Sequence, residues 1–292
     1  MSIASTFQAY LSSLELTDRE RADASAQQVA LRDRLRLHLA GFVDSRLVGS
    51  YRRGTAIRPL KDIDVFVVLD AREHRRDVPD APLRLLQAIE RALRASYPNH
   101  KPRIQGRSVN IGFSGTEIDY DIVAAFAPTW TGAAGTEPPY YEIPDRRVST
   151  WIYTNPAKHV AACIAANERA GGMLNGLIKA AKHWNRTNGK PLSGFHIEVM
   201  SYSAFWSKPD NPRAGLRDLF QHLANAVQST CPDPAGLGPA IDTDLTSQER
   251  THARNLLQGA AQVAQVAVDA ERKGDHDTAI ARWRSLLGDV FR

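Results

Sequence analysis

Apolar positions follow two rhythms in this chain, a mixed one in the first half and a helical one in the second. Ile3, Phe7, Tyr10/Leu11 and Leu14 recur every three to four residues and predict a first amphipathic helix. Thr17-x-x-Glu20 is a capping-box pattern, in which each side chain satisfies a backbone N–H at a helix start; it predicts a second helix reaching about Leu39. Arg46-Leu47-Val48 predicts a short strand ending in a Gly49-Ser50 turn, and 63–69 predicts the next strand. Leu85/Leu86, Ile89 and Leu93 give 82–97 one apolar helical face. Segments 107–113 and 116–124 predict an antiparallel hairpin about Ser114-Gly115. Six Pro and Gly residues punctuate 127–149, which is expected to be a linker. Beyond Trp151 helical periodicity takes over, with helices expected over 156–170, 172–187, 193–208, 213–229, 246–273 and 276–287. Strands first and helices second is the α+β order. It divides the chain into a sheet-bearing lobe with N-terminal helices, 1–150, and a helical lobe, 151–292.

Composition narrows this picture without redirecting it. At 292 residues and 43% hydrophobic content the chain can bury one large core or two lobes. No apolar run approaches the ~20 residues of a membrane span, and residues 1–16 lack the apolar core of a signal peptide. A cytoplasmic protein with no membrane partner is expected. Cys163 and Cys231 form no CxxC and join no His/Cys cluster, which supports neither a disulfide framework nor a zinc site. The net charge of +5 is spread over scattered Arg and Lys rather than a stripe, so no stable nucleic-acid partner is expected.

The chemistry concentrates in Gly49-Ser50-Tyr51-Arg52-Arg53-Gly54-Thr55 and the later Asp62-Ile63-Asp64-Val65. On a strand, alternate side chains share a face, so Asp62 and Asp64 point one way while Ile63 and Val65 point into the core. Two close carboxylates repel unless a cation lies between them. An oxygen-only pair suits Mg²⁺, which takes its other ligands from water and substrate phosphates. Gly49 permits close backbone approach, and Ser50 offers a hydroxyl and an N–H to phosphate oxygens. These residues point to nucleotidyl transfer.

Together these motifs resemble the DNA-polymerase-β-like nucleotidyltransferase superfamily, in its oligoadenylate synthetase and cyclic GMP-AMP synthase-like branch. The resemblance implies a mixed sheet with flanking helices plus a C-terminal helical bundle. It also implies a third carboxylate on a neighbouring strand. Asp121-Ile122-Val123-Ala124-Ala125-Phe126 fits the family strand in register, with Ala124 where the family has proline, and Asp121 is the choice; Asp119 shares its parity and is the alternative. Two Mg²⁺ ions, or Mn²⁺, would then be held by Asp62 and Asp64, one of them shared with Asp121. Leu177-Ile178-Lys179-Ala180-Ala181-Lys182-His183-Trp184 resembles the family helix whose lysine reaches the triphosphate, which maps to Lys182; a solvated basic face is the alternative. Leu192-Ser193-Gly194-Phe195-His196-Ile197-Glu198 resembles a helix start with a base-stacking aromatic, which maps to Phe195. Gly194 replaces the family serine there, leaving Ser193 as the nearest polar contact. A packed core phenylalanine is the alternative for Phe195. His159 and His196 are expected at the surface or behind the site, and 283–288 is expected to pack the last helix onto the bundle.

The implied activity is template-independent synthesis of a cyclic oligonucleotide second messenger from NTPs, in anti-phage signalling. A purine dinucleotide is the default product and a trinucleotide the close second, each acting on a separate effector protein. The rivals are an RNA-primed enzyme of the oligoadenylate-, CCA- or poly(A)-adding type, and a non-catalytic nucleotide or RNA sensor.

Overall fold

A computed structural model describes residues 2–128 and 138–291. Its elements run α1 (Ile3–Ser13), α2 (Asp18–His38), β1 (Phe42–Leu47), α3 (Gly49–Arg53), β2 (Asp62–Leu69), α4 (Ala81–Ser96), β3 (Arg103–Ile104), β4 (Val109–Phe113), β5 (Ile118–Phe126), β6 (Tyr141–Asp145) and β7 (Thr150–Thr154). Six helices follow: α5 (Pro156–Arg169), α6 (Leu174–Thr187), α7 (Gly194–Ser201), α8 (Pro212–Ala226), α9 (Ser247–Arg272) and α10 (His276–Leu287). Helix starts follow local chemistry. Thr17 and Glu20 form the reciprocal box, with N–H donors at 2.8 and 3.2 Å, and Thr246 with Glu249 repeats it. Asn155 and Asn211 cap α5 and α8 ahead of prolines that lack the N–H a first helical turn leaves unpaired.

The strands form a mixed sheet in the order β1-β2-β5-β4-β3, with β2 and β5 parallel and β6–β7 continuing from β5. On β2, Ile63, Val65, Val67 and Leu69 enter the core beneath α2 and α4. Phe66 and Val68 lie on the opposite face, with Ala125, Tyr141 and Ile143. Asp62 and Asp64 share that second face, at the end of the strand its apolar cover does not reach. A separate core fills the helical lobe and takes in α1: Ile3, Phe7, Tyr10 and Leu14 pack there, with Phe7 5.1 Å from the ring of the fully buried Trp283.

Two expectations are corrected. The expected linker over 127–149 contains strand β6, paired with β7 up to Thr154; the part of that expectation on 129–137 lies outside the described residues. Pro144 conceals β6 from a propensity reading. It is tolerated because β6 meets β5 only at Phe126–Glu142, so no ladder there needs its N–H. Helix α7 stops at Ser201 rather than near 208, and Trp206 beyond it is 89% exposed, so no apolar face continues the helix there. His196, expected at the surface or behind the site, is buried.

Candidate active site

The pairing of β2 with β5 places Asp62 opposite Asp119 and Asp64 opposite Asp121. Paired residues on parallel strands face the same way, so four carboxylates share one end of one face. Their proximity raises the carboxyls of Asp64 and Asp121. Burial, then Asp121, then Asp62 push the Asp64 carboxyl up to about 6. Asp121 is raised by burial and by Asp62 and Asp119, against the hydrogen bond it accepts from Asn110 Nδ2 at 3.0 Å. Asn110, buried on β4 opposite Asp121, in turn accepts from Arg103 at 3.2 Å. Asp121, level with Asp64 and held by this pair, is the better placed of the two β5 candidates.

Gly49 opens α3 at a φ of +61°, and a β-carbon there would be driven into the Asp64 carboxylate. Both conditions demand glycine. No side chain caps α3, so its first N–H groups are left to other acceptors. Ser50 follows at the rim of a cavity of about 450 Å³ between the lobes, which Asp62, Asp64, Lys182 and Phe195 also line. Gly49 and Asp121 stand behind this lining rather than in it. Ser193 is exposed and acts as the N-cap of α7, accepting from the His196 N–H at 3.1 Å, so its hydroxyl already has a structural role.

Helix α6 turns its basic face onto the sheet lobe, with Arg186 at the exposed end of that face. Lys179 donates to Glu15 at 2.5 Å, and Arg186 donates to the backbone oxygen of Pro59 at 3.3 Å. Lys182 donates to the Thr55 carbonyl at 2.9 Å and to Glu198 at 2.8 Å. Glu198 also accepts from Arg53 Nε at 2.8 Å. Burial opposes ionisation of Glu198, but Lys182 and Arg53 outweigh it and hold the carboxyl below its usual range. Phe195 is half-buried on the cavity wall, with the Arg53 guanidinium 4.7 Å from its ring centroid. It is therefore not a core phenylalanine.

Among the described residues no three His, Cys, Asp or Glu side chains form a ready-made metal cage. Mg²⁺ needs none, because it binds through one or two carboxylates and completes its shell with water and substrate phosphates. The donor set fits such an ion: oxygen ligands only, mutually repelling, with Asp64 poised for a positive charge. A larger cavity of about 650 Å³ lies on the other flank of α3, lined by Gln28, Arg32, Tyr51 and Arg52 among others. Its lining has no carboxylate, so the chemistry belongs to the smaller cleft.

Residues 1–167, more than half of the chain, match the family model described as the Second Messenger Oligonucleotide or Dinucleotide Synthetase domain. The chain belongs to this synthetase family. It is a nucleotidyltransferase that makes oligonucleotide second messengers. It is 26% identical to a "Cyclic AMP-AMP-AMP synthase" of Acinetobacter sp., over 96% of this chain and 83% of that one. Identity to a "Cyclic AMP-AMP-GMP synthase" of Enterobacter hormaechei is 24%, over 100% and 92% of the two chains. Among solved structures, E. coli CdnC with ATP superposes with a TM-score of 0.75 at 18% identity, covering 100% of this chain and 99% of that one. Vibrio cholerae DncV with the linear intermediate 5′ pppA(3′,5′)pG gives 0.75 at 14%, covering 96% and 93%. These structural likenesses carry the polymerase-β-like synthetase fold.

Sequence reasoning missed Arg53, Asn110 and Glu198 as parts of the synthetase cleft. Glu198 did leave a signal. It is the only acidic residue of α7, among Ile197, Val199 and Met200, and a carboxylate in an apolar helix needs a cation. Arg53 and Asn110 left none, because their partners lie 145 and 11 residues away.

Proposed function

We propose that this synthetase condenses NTPs, ATP among them, into a cyclic trinucleotide without template or primer. One observation carries the mechanism: Asp62 and Asp64 open into the same cleft as Ser50, Lys182 and Phe195, while Asp121 stands level with Asp64 on the next strand. The products named for the Acinetobacter and Enterobacter relatives support adenine and a three-membered ring. Asp62 and Asp64 would hold two Mg²⁺ or Mn²⁺ ions, one shared with Asp121, and bound there the ions would steady the attacking and leaving oxygens of an in-line displacement at the α-phosphorus. The protein's own groups do the rest. Ser50 and Lys182 hold the triphosphate of the donor NTP, from which pyrophosphate departs as the acceptor oxygen bonds to the α-phosphorus, with the backbone at Gly49 close behind. Asp121, whose acidity is weakened, takes the proton of the acceptor hydroxyl. Phe195 stacks on a base. The product then acts on a separate effector in cytoplasmic anti-phage signalling.

The test is incubation of the protein with labelled NTPs and Mg²⁺ or Mn²⁺ in the absence of RNA, then phosphatase treatment and mass spectrometry. A phosphatase-resistant product with the mass of a cyclic trinucleotide is expected, and none from Asp62→Asn/Asp64→Asn with unchanged circular dichroism. Extension only of added RNA, or no turnover at all, would overturn the reading.

A further inference from the structure

Glu198 has no solvent exposure, and both its oxygens are claimed by cations from opposite sides of the cleft. A buried carboxylate this far from water persists only when paired. The two partners have different duties. Lys182 reaches the cavity from α6. Arg53, on α3, has a side chain only 7% exposed, and its guanidinium carbon lies over the Phe195 ring. Attraction between a cation and the electron-rich face of an aromatic ring favours that arrangement. Phe195 itself follows the first residue of α7, three residues before Glu198, so one helical turn carries both the ring and the anchor of its cation.

We propose that Glu198 is a positioning residue for the base subsite: it pins Arg53 against the Phe195 ring and so presents that ring to an incoming base. This rests on the assignment of Phe195 as the stacking residue. Arg53 lines the same cavity as Ser50 and Lys182. Without its carboxylate it is drawn toward phosphate, and the ring keeps only its contact with His159, 5.3 Å away between centroids. Removing the Glu198 charge therefore affects the two halves of a nucleotide in opposite directions. Phosphate binding is kept or strengthened, because a negative charge is gone, while the contribution of the base falls.

The experiment measures, by calorimetry at fixed Mg²⁺, the affinities of inorganic tripolyphosphate and of the α,β-methylene analogue of ATP. The ratio of the two isolates the nucleoside. In Glu198→Gln the preference for the analogue should fall by ~10-fold, within the range of one base stack, while tripolyphosphate binds as well as before or better. Added to Phe195→Ala, Glu198→Gln should cost no further preference. A purely structural Glu198 would weaken both probes together, and that result overturns the proposal. Should Glu198→Gln fail to fold, Arg53→Lys serves instead: it keeps the ion pair but loses the planar guanidinium, and should lose the same preference. An unchanged ratio in a folded Arg53→Lys also overturns the proposal. Phe195→Ala alone separates the layers. If it leaves the preference intact, the stacking assignment fails and the positioning role with it. If it removes the preference while Glu198→Gln and Arg53→Lys do not, only the positioning role fails.

Discussion

At residue 49 a β-carbon meets two obstacles, a backbone φ of +61° and the carboxylate of Asp64. Gly49→Ala should therefore cost ~1–2 kcal/mol of stability from the left-handed backbone. Its effect on turnover should be much larger, ~100-fold or more, because Asp64 is displaced by about an ångström. Comparing thermal melts with turnover checks this; a matched, small loss in both would mean that Asp64 tolerates the shift. Asp121 and Asp119 separate by the same logic. Asp121→Asn should lower the rate severely and Asp119→Asn far less, since only Asp121 is level with Asp64 and held by Asn110. Reversed effects in a single-turnover assay would move the third carboxylate to Asp119. The repulsion around Asp64 also gives a pH signature. Its carboxyl, 3.8 in the unfolded chain and about 6 when folded, binds more protons in the native state between these values. Stability from this group is present at low pH and lost as pH rises through that window. In chelator, Asp64→Asn should melt above wild type at pH 8, and the gap should close by pH 4. A gap that is constant with pH would show that the carboxylate is not strained.

At the scale of elements, β2 and α1 behave oppositely. The alternation on β2 fixed its two faces locally, and the structure keeps them: Ile63 and Val65 inside, Asp62 and Asp64 outside. Helix α1 was equally legible as an amphipathic helix, yet nothing local says which lobe its apolar stripe covers. It covers the helical one, where Phe7 meets Trp283 and Phe291 edge-on. Phe7→Ala should destabilise the protein by ~3–5 kcal/mol, measured by denaturant unfolding, although the residue is far along the chain from both aromatics. Strand β6 marks the limit of local reading, since Pro144 and the prolines before it argue for a loop and only its pairing with β7 and with the end of β5 makes it a strand.

Across the whole molecule, the cleft is closed by contacts between helix α6 and the segment after α3. Lys182 binds the Thr55 carbonyl, Arg186 the backbone near Pro59, and Asn175 Nδ2 donates to the Arg53 carbonyl at 3.4 Å. Lys182 thus serves closure and, in the proposed mechanism, phosphate as well. Lys182→Ala should raise the KM for NTP by ~10-fold or more with a smaller fall in kcat, since the contact exists in ground and transition states alike. NTP titrations of initial rate read this out; an unchanged KM would reduce Lys182 to a structural contact.

By itself the sequence determined what depends on near neighbours. The capping boxes, the two faces of β2, the Gly-Ser turn and the order of strands then helices all rest on contacts within a few residues, where backbone geometry fixes the outcome. The motif resemblance carried the family and the candidate carboxylates for the same reason, since they occur in short runs. Only the tertiary structure decided which carboxylate of β5 stands level with Asp64. That depends on the register of two strands more than fifty residues apart. It alone brought Arg53, Lys182 and Phe195 around Glu198, because an ion pair across a cleft leaves no periodic trace in either partner's segment. And it alone decided between the two readings of the basic face of α6, triphosphate contact or solvated surface, to the extent of placing that face on the cleft, because burial belongs to the packed lobes and not to any one helix.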